Sequence, residues 1–376
     1  MRRTTLKPYS IILGATGSVG RQAVEVLSKT NRIKIIGLAC KSRSDEISKI
    51  AESCGCSRIH VENDDPQSLR DFIMETTRLY PASETTALNA ISGFEGLKAS
   101  FALADSKIDI LMANKESIVA GGRMFLNYAK RMGIRIIPVD SEHSCIFTLS
   151  NAFPKSLIKK VMITCSGGPF RDRTDLNGIT PEEAIKNPNW SMGPKISVDS
   201  STLANKVAEI IEAKFLFNLK PEQIEAVIQK NSHVHSLIQL KNNSYIAEIS
   251  VPNMSLPIAK AYGLDDAPAT DDINWSHLNL EFRKPDEKRF PFLTLADELI
   301  RNHRKCIIFN AANEEAVKLF LDGKTTFTGI FEIVKKTLNR TKRIQKGPMI
   351  TSLEDIIKID LEAREEAKAI ARSVLE

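Results

Sequence analysis

The feature that most constrains the fold lies near the start of the chain. There the apolar run Ser10-Ile11-Ile12-Leu13 passes straight into Gly14-Ala15-Thr16-Gly17-Ser18-Val19-Gly20. A strand that runs through glycines into a helix brings backbone N–H groups and the positive helix end up to a pyrophosphate. The G-x-x-G-x-x-G spacing differs from the commoner G-x-G-x-x-G, so the loop alone leaves open a tight turn without ligand. Further apolar runs at Lys34 to Ala39, Thr86 to Ile91, Asp109 to Met112 and Ile134 to Val139 alternate with helical patterns. That rhythm predicts a parallel sheet with crossover helices. The second run ends in Ala39-Cys40-Lys41-Ser42-Arg43, with no acidic residue for ribose hydroxyls. Lys41, Ser42 and Arg43 therefore point to a 2′-phosphate and NADPH, the alternative being solvated loop charges.

From Lys159 the pattern changes to a mixed α and β region, with runs at Val161 to Thr164, Ala226 to Ile228, His233 to Leu240 and Tyr245 to Ile249. A stretch rich in Asp, Pro and Asn follows, and helical patterns alone fill the rest. The predicted fold class is α/β, with a Rossmann-like NADP-binding domain over residues 1–140, a central α+β catalytic domain over 141–264, a linker over 265–291, and a C-terminal helical bundle over 292–376. The formal charge of +6 is dispersed over 376 residues, which argues against a nucleic-acid footprint. No apolar run approaches the roughly 20 residues of a membrane helix. Only nine residues precede the first apolar run, so no leader is expected. The six scattered cysteines suit a reducing, cytoplasmic setting.

Candidate chemistry gathers at predicted strand ends. Asn114-Lys115-Glu116-Ser117 follows the fifth strand, on the side that faces a cofactor. Pro138-Val139-Asp140-Ser141-Glu142 ends the next; if it stays extended, Asp140 and Glu142 share a face. Two converging carboxylates need a cation or proton between them, and hard oxygen ligands favour Mg²⁺ or Mn²⁺ over zinc. An isolated Asp-x-Glu is, however, more often solvated charge. A helix from Ser197 to about Phe217 carries Ser200 and sets Asn205, Lys206 and Glu209 on one face. These are either a surface ion pair or, with Glu209 on the metal, an anion and hydroxyl site. Ser166-Gly167-Gly168 adds a hydroxyl and backbone donors suited to phosphate.

Taken together, these motifs resemble the 1-deoxy-D-xylulose 5-phosphate reductoisomerase family of the non-mevalonate isoprenoid pathway. Its marks also include Asn189-Trp190-Ser191-Met192-Gly193, Lys195-Ile196-Ser197-Val198-Asp199-Ser200 and Asn310-Ala311-Ala312-Asn313-Glu314. The resemblance implies rearrangement and NADPH-dependent reduction of a small phosphorylated sugar, with Mg²⁺ or Mn²⁺, or also Co²⁺, held by Asp140, Glu142 and Glu209. It places Lys115 and Ser141 at the reacting carbons, and Ser166, Ser200, Asn205 and Lys206 on the phosphate and hydroxyls. Asn114 and Glu116 join the cofactor groups. A mobile lid over 187–195 brings Asn187, Trp190 and Met192 to the substrate, and a homodimer with no membrane or nucleic-acid partner is expected. Three departures stand out: Asn187 for a lid histidine, Gln229-Lys230-Asn231 for His-Pro-Gln, and Ser250-Val251 before Pro252 for Gly-Glu. The alternatives are a semialdehyde dehydrogenase-like enzyme using Cys145 beside His143, and a catalytically weakened NADP-binding homologue.

Overall fold

The computed structural model describes residues 5–63, 68–186, 192–266 and 270–375. They form two compact units, one of Met1–Ser117, Phe125–Lys155 and Asn253–Ile273, the other of Ile118–Met124, Ser156–Pro252 and Asn274–Glu376.

The first unit alternates strand and helix. It opens with β1 (Tyr9–Leu13), α1 (Ser18–Thr30), β2 (Lys34–Cys40), α2 (Ser44–Cys54), β3 (Ile59–Val61) and α3 (Leu69–Leu79). It continues through β4 (Thr85–Asn89), α4 (Glu95–Asp105), β5 (Asp109–Met112), α5 (Lys115–Arg131), β6 (Ile136–Pro138) and α6 (Ser141–Ala152). The six strands pair in the order β3-β2-β1-β4-β5-β6, all parallel. This is the doubly wound arrangement predicted from the sequence, and its chain reversal falls between β1 and β4, where ligands of such sheets bind. Ile11, Ile12, Leu13, Ala87, Leu88, Ile110 and Leu111 are wholly buried, as a parallel sheet covered on both faces requires.

In the second unit, β7 (Ile158–Cys165) leads to α7 (Pro181–Ala184), α8 (Pro194–Thr202) and α9 (Ala204–Phe217). Then come β8 (Ile224–Gln229), β9 (Val234–Leu240) and β10 (Tyr245–Ile249). Next in the chain, α10 (Ser255–Tyr262) returns to the first unit, where the buried Tyr262 hydroxyl pairs with Ser10 Oγ at 2.6 Å. The short β11 (Phe282–Arg283) completes a mixed sheet ordered β10-β9-β7-β8-β11. The chain ends in helices α11 (Ala296–Ile300), α12 (His303–Leu321), α13 (Phe327–Arg340), α14 (Lys342–Gln345) and α15 (Leu353–Leu375). Among them α12, α13 and α15 pack on one another around Phe309, Phe320, Ile330, Val334, Ile356 and Ala363. Two boundaries differ from the sequence reading: α6 and α10, placed there in the 141–264 domain, belong to the first unit, and the 265–291 segment is divided between the two units. No helix of the described residues is long and apolar enough to cross a membrane.

Candidate active site

The glycine loop is built so that side chains cannot enter it. Gly14 has φ +81°, and a Cβ there would sit 2.4 Å from the Ala90 carbonyl oxygen at the end of β4. A Cβ on Gly20 would lie 2.3 Å from the Gly14 carbonyl oxygen, so the helix packs directly on the turn. Gly14 and Ala15 donate their N–H groups to the Ala39 carbonyl at 2.9 Å, which fixes the loop against β2. Gly17 caps α1 without a side-chain bond, and no acidic residue lies in the first turn, so nothing offsets the positive helix end. Beside the loop, Arg21 Nε donates to the Thr16 carbonyl at 3.1 Å, and Arg43 Nη1 approaches the same oxygen at 3.5 Å. Both guanidiniums pair with Glu46. Lys41 and Ser42 are exposed. Arg21 was not singled out in the sequence. Its position just after the last glycine, on the first turn of α1, is the signal that could have found it.

A lysine and two carboxylates meet just beyond the carboxyl ends of β5 and β6. Asn114 caps α5 by accepting the Ser117 N–H at 2.8 Å, and its amide donates to the carbonyls of Ile91 at 2.7 Å and Gly93 at 2.9 Å and to Glu116 at 2.9 Å. That buried amide therefore fixes the loop from which Lys115 projects. Lys115 Nζ lies 2.9 Å from Asp140 Oδ2, and His143 Nδ1 lies 2.8 Å from Oδ1 of the same carboxylate. Burial alone pushes the Asp140 carboxyl upward, but the Lys115 ammonium and the His143 ring hold it well below the usual range. One feature of the sequence reading is corrected. The strand ends at Pro138, and Asp140, Ser141 and Glu142 form the start of α6 rather than an extended run. Asp140 and Glu142 still offer carboxylate oxygens within 4.8 Å of each other, because the N-cap and the first helical turn are neighbours. The positive end of α6 favours both charges. Ser141 Oγ donates to Glu142 at 2.5 Å. His143, considered in the sequence only as a partner for Cys145, is instead fully buried behind Asp140.

In the second unit, β7 ends in Cys165 and runs into Ser166-Gly167-Gly168, whose glycines have φ +78° and +68°. A Cβ on Gly168 would stand 2.9 Å from Ser201 Cα, so this turn lies against the end of α8 that carries Ser200. Here too the sequence reading is corrected, since the expected single helix is two. Leu203 adopts the left-handed conformation, φ 62° and ψ 13°, and its buried side chain anchors the bend between α8 and α9. Asn205 and Lys206 thereby fall in the first turn of α9. Asn205 Nδ2 donates to Glu209 Oε1 at 2.5 Å, and Lys206 Nζ bonds both Glu209 Oε2 and the Thr164 carbonyl of β7. Lys206 and Glu209 are almost wholly buried, which excludes the surface ion pair as their explanation. Ser166 is buried, and Ser200 and Met192 are half-buried. Asn187 and Trp190, with most of the expected lid, lie outside the described residues.

Two departures from the family pattern have local reasons. Ser250 Oγ pairs with His235 Nε2 at 2.9 Å, and Lys230 reaches Asp172 at 3.4 Å. Cys145, the nucleophile needed by the semialdehyde dehydrogenase reading, has no exposed surface.

The sheet order, the glycine cradle and the lysine-carboxylate cluster define a Rossmann-type oxidoreductase. Family models for 1-deoxy-D-xylulose 5-phosphate reductoisomerase match residues 10–122, and models for its C-terminal domains match 136–217 and 249–366. The reductoisomerase of Treponema denticola is 37% identical over 96% of this chain and 96% of its own, and that of Bordetella pertussis 35% over 94% and 96%. A crystal structure of DOX-P reductoisomerase in complex with NADPH, fosmidomycin and magnesium superposes with a TM-score of 0.88 at 33% identity, covering 97% of this chain and 98% of that one. The Zymomonas mobilis enzyme in complex with NADPH gives 0.84 at 32% identity, covering 98% and 100%. The chain belongs to the 1-deoxy-D-xylulose 5-phosphate reductoisomerase family.

Proposed function

We propose that this chain rearranges and reduces 1-deoxy-D-xylulose 5-phosphate to 2-C-methyl-D-erythritol 4-phosphate, with NADPH and a divalent cation, in isoprenoid precursor synthesis. The observation that carries the reading is the ionised Asp140 beside Glu142 at the mouth of α6, in contact with Lys115, in a member of this family. Asp140 and Glu142 both offer hard carboxylate oxygens, the donor set suited to Mg²⁺ or Mn²⁺, with Co²⁺ also accommodated. Asp140 and Glu142 hold the cation, and Glu209 is assigned as the third ligand. When bound, the cation supplies Lewis-acid stabilisation of negative charge on substrate oxygens.

The chain's own groups do the rest. Gly14 to Gly20 cradle the pyrophosphate of NADPH, while Arg43, with Lys41 and Ser42, receives the 2′-phosphate; Arg21 is added to this set. Asn114 and Glu116 shape the loop beside the nicotinamide. Lys115 hydrogen-bonds the oxygen that gains charge, and Ser141 sits at the reacting carbons. Ser166, Ser200, Asn205 and Lys206 hold the phosphate and hydroxyls. Asn187, Trp190 and Met192 exclude water as the lid closes. A cytoplasmic homodimer is the expected form.

The test is NADPH oxidation driven by 1-deoxy-D-xylulose 5-phosphate, with and without chelator, in the wild type and Glu142→Gln. Turnover should require the cation and fall at least a hundredfold in the variant. Full activity with excess chelator would overturn the assignment.

A further inference from the structure

We propose that Asn313 on α12 is a positioning residue for substrate binding, acting through Asp199 to hold α8 and its Ser200 in place. Asn313 and Asp199 are almost wholly buried, 4% and 3% exposed. The Asn313 amide donates to Asp199 Oδ1 at 2.7 Å, and Lys195 Nζ takes the other oxygen at 2.9 Å from four residues back on α8. A carboxylate can only accept, so the amide orientation is fixed with nitrogen toward Asp199. The Asn313 carbonyl oxygen is then left buried with no hydrogen-bond partner. Leaving such an acceptor unmade is costly, and an apolar side chain of similar size would avoid the cost. What an apolar residue lacks is the donor that Asp199 needs.

Helix α8 is short and held chiefly by what it packs against. It spans nine residues, starts at Gly193 without a side-chain cap and ends at the left-handed Leu203. Two outside supports bracket it: the Gly168 turn, close against Ser201, and Asn313. The second support is itself rigid, because the neighbouring Glu314 and Glu315 bind Arg364 of α15. The terminal helices thus act as a buttress for α8, and Lys195 extends the contact to the root of the lid segment.

This inference rests on the reading that Ser200 helps hold the substrate phosphate, so both are tested together with Ser200→Ala, Asn313→Leu and Asn313→Asp in the full chain. Asn313→Leu should raise KM for the phosphorylated sugar about tenfold while kcat and the KM for NADPH stay within twofold. In Asn313→Asp two carboxyls face each other, with Lys195 the charged group beside them; Glu314 and Glu315 are turned toward Arg364. A proton shared by the pair restores the donor. Its KM, relative to wild type at the same pH, should therefore fall as pH is lowered from 8 to about 6, a change that mere loosening of the fold does not produce. If Asn313→Leu fails to fold, the isosteric Asn313→Asp carries the test. Should Ser200→Ala raise KM while neither Asn313 variant does, the inference fails and the phosphate reading stands. An unchanged KM in Ser200→Ala overturns the reading on which it rests. Parallel losses in kcat and in both Michaelis constants would reduce Asn313 to a structural residue.

Discussion

Asp140 has both oxygens occupied, one by Lys115 and one by His143. A ligand held from behind is oriented and kept ionised, and loss of such outer partners typically weakens metal affinity 10- to 100-fold. His143→Gln should therefore raise the apparent dissociation constant for Mn²⁺ about tenfold, with most of kcat recovered at saturating metal; unchanged affinity would remove His143 from the site. On the cofactor side, Arg43 and Arg21 stand at the loop with Glu46 between their charges. Charge-assisted bonds to phosphate are the strong ones, so Arg43→Ala should narrow the preference for NADPH over NADH about tenfold. If the ratio of the two specificity constants does not move, the 2′-phosphate lies elsewhere. At this scale the sequence revealed the residue types and motifs but not their partners. Asn313 meets Asp199 across 114 positions, which no local pattern marks, and the short step from His143 back to Asp140 was hidden while that stretch was read as extended.

Among the elements, α5 carries a break whose cause is local. Its backbone leaves helical values at Gly122, φ 49° and ψ −143°, and a Cβ there would lie 2.4 Å from His303 Nε2. The half-buried His303 ring donates from Nε2 to the Ala120 carbonyl at 2.8 Å, and burial pushes its pKa down to about 4. Because the folded value is below the unfolded one of about 6.5, its stabilising effect is complete above pH 6.5 and is lost as pH falls toward 4. Allowing for partial screening, the loss is roughly 2 kcal/mol. His303→Gln keeps a donor but cannot titrate, so urea unfolding between pH 6.5 and 4 should depend less on pH than in wild type. Identical pH profiles would show that the ring does not titrate there. Five strands of the first sheet were legible because each lies in a largely apolar run, the three-residue β6 falling within Ile134 to Val139, whereas β3, Ile59-His60-Val61, has a histidine at its centre and no such run around it. The division of α8 from α9 was hidden because Leu203 carries no glycine or asparagine signal for its left-handed backbone. Asp140 looked like the continuation of a strand because, although Asp is a good N-cap, the residue three places on is His143 rather than Glu or Gln, so no capping box marks the helix start.

Across the whole molecule, the glycine cradle with Arg21 and Arg43 and the carboxylates Asp140 and Glu142 are separate groups of side chains in one unit, and Ser166, Ser200 and Lys206 belong to the other. On the proposed assignment, NADPH and the metal use different atoms. Chelation should abolish turnover while leaving the NADPH dissociation constant within about twofold, measured by titration of nucleotide fluorescence. A large loss of nucleotide affinity on chelation would show that the two sites are coupled. The Lys115–Asp140 contact carries a consequence of another kind. Newly made chains, and chains in a cell starved of magnesium or manganese, must survive without their ion, and a bare, largely buried carboxylate would invite local collapse or a wrong metal. The lysine keeps that carboxylate charge-matched from the moment of folding. A metal shortage thus idles the protein without spoiling it, and supply of the ion can restart a stock that is already folded.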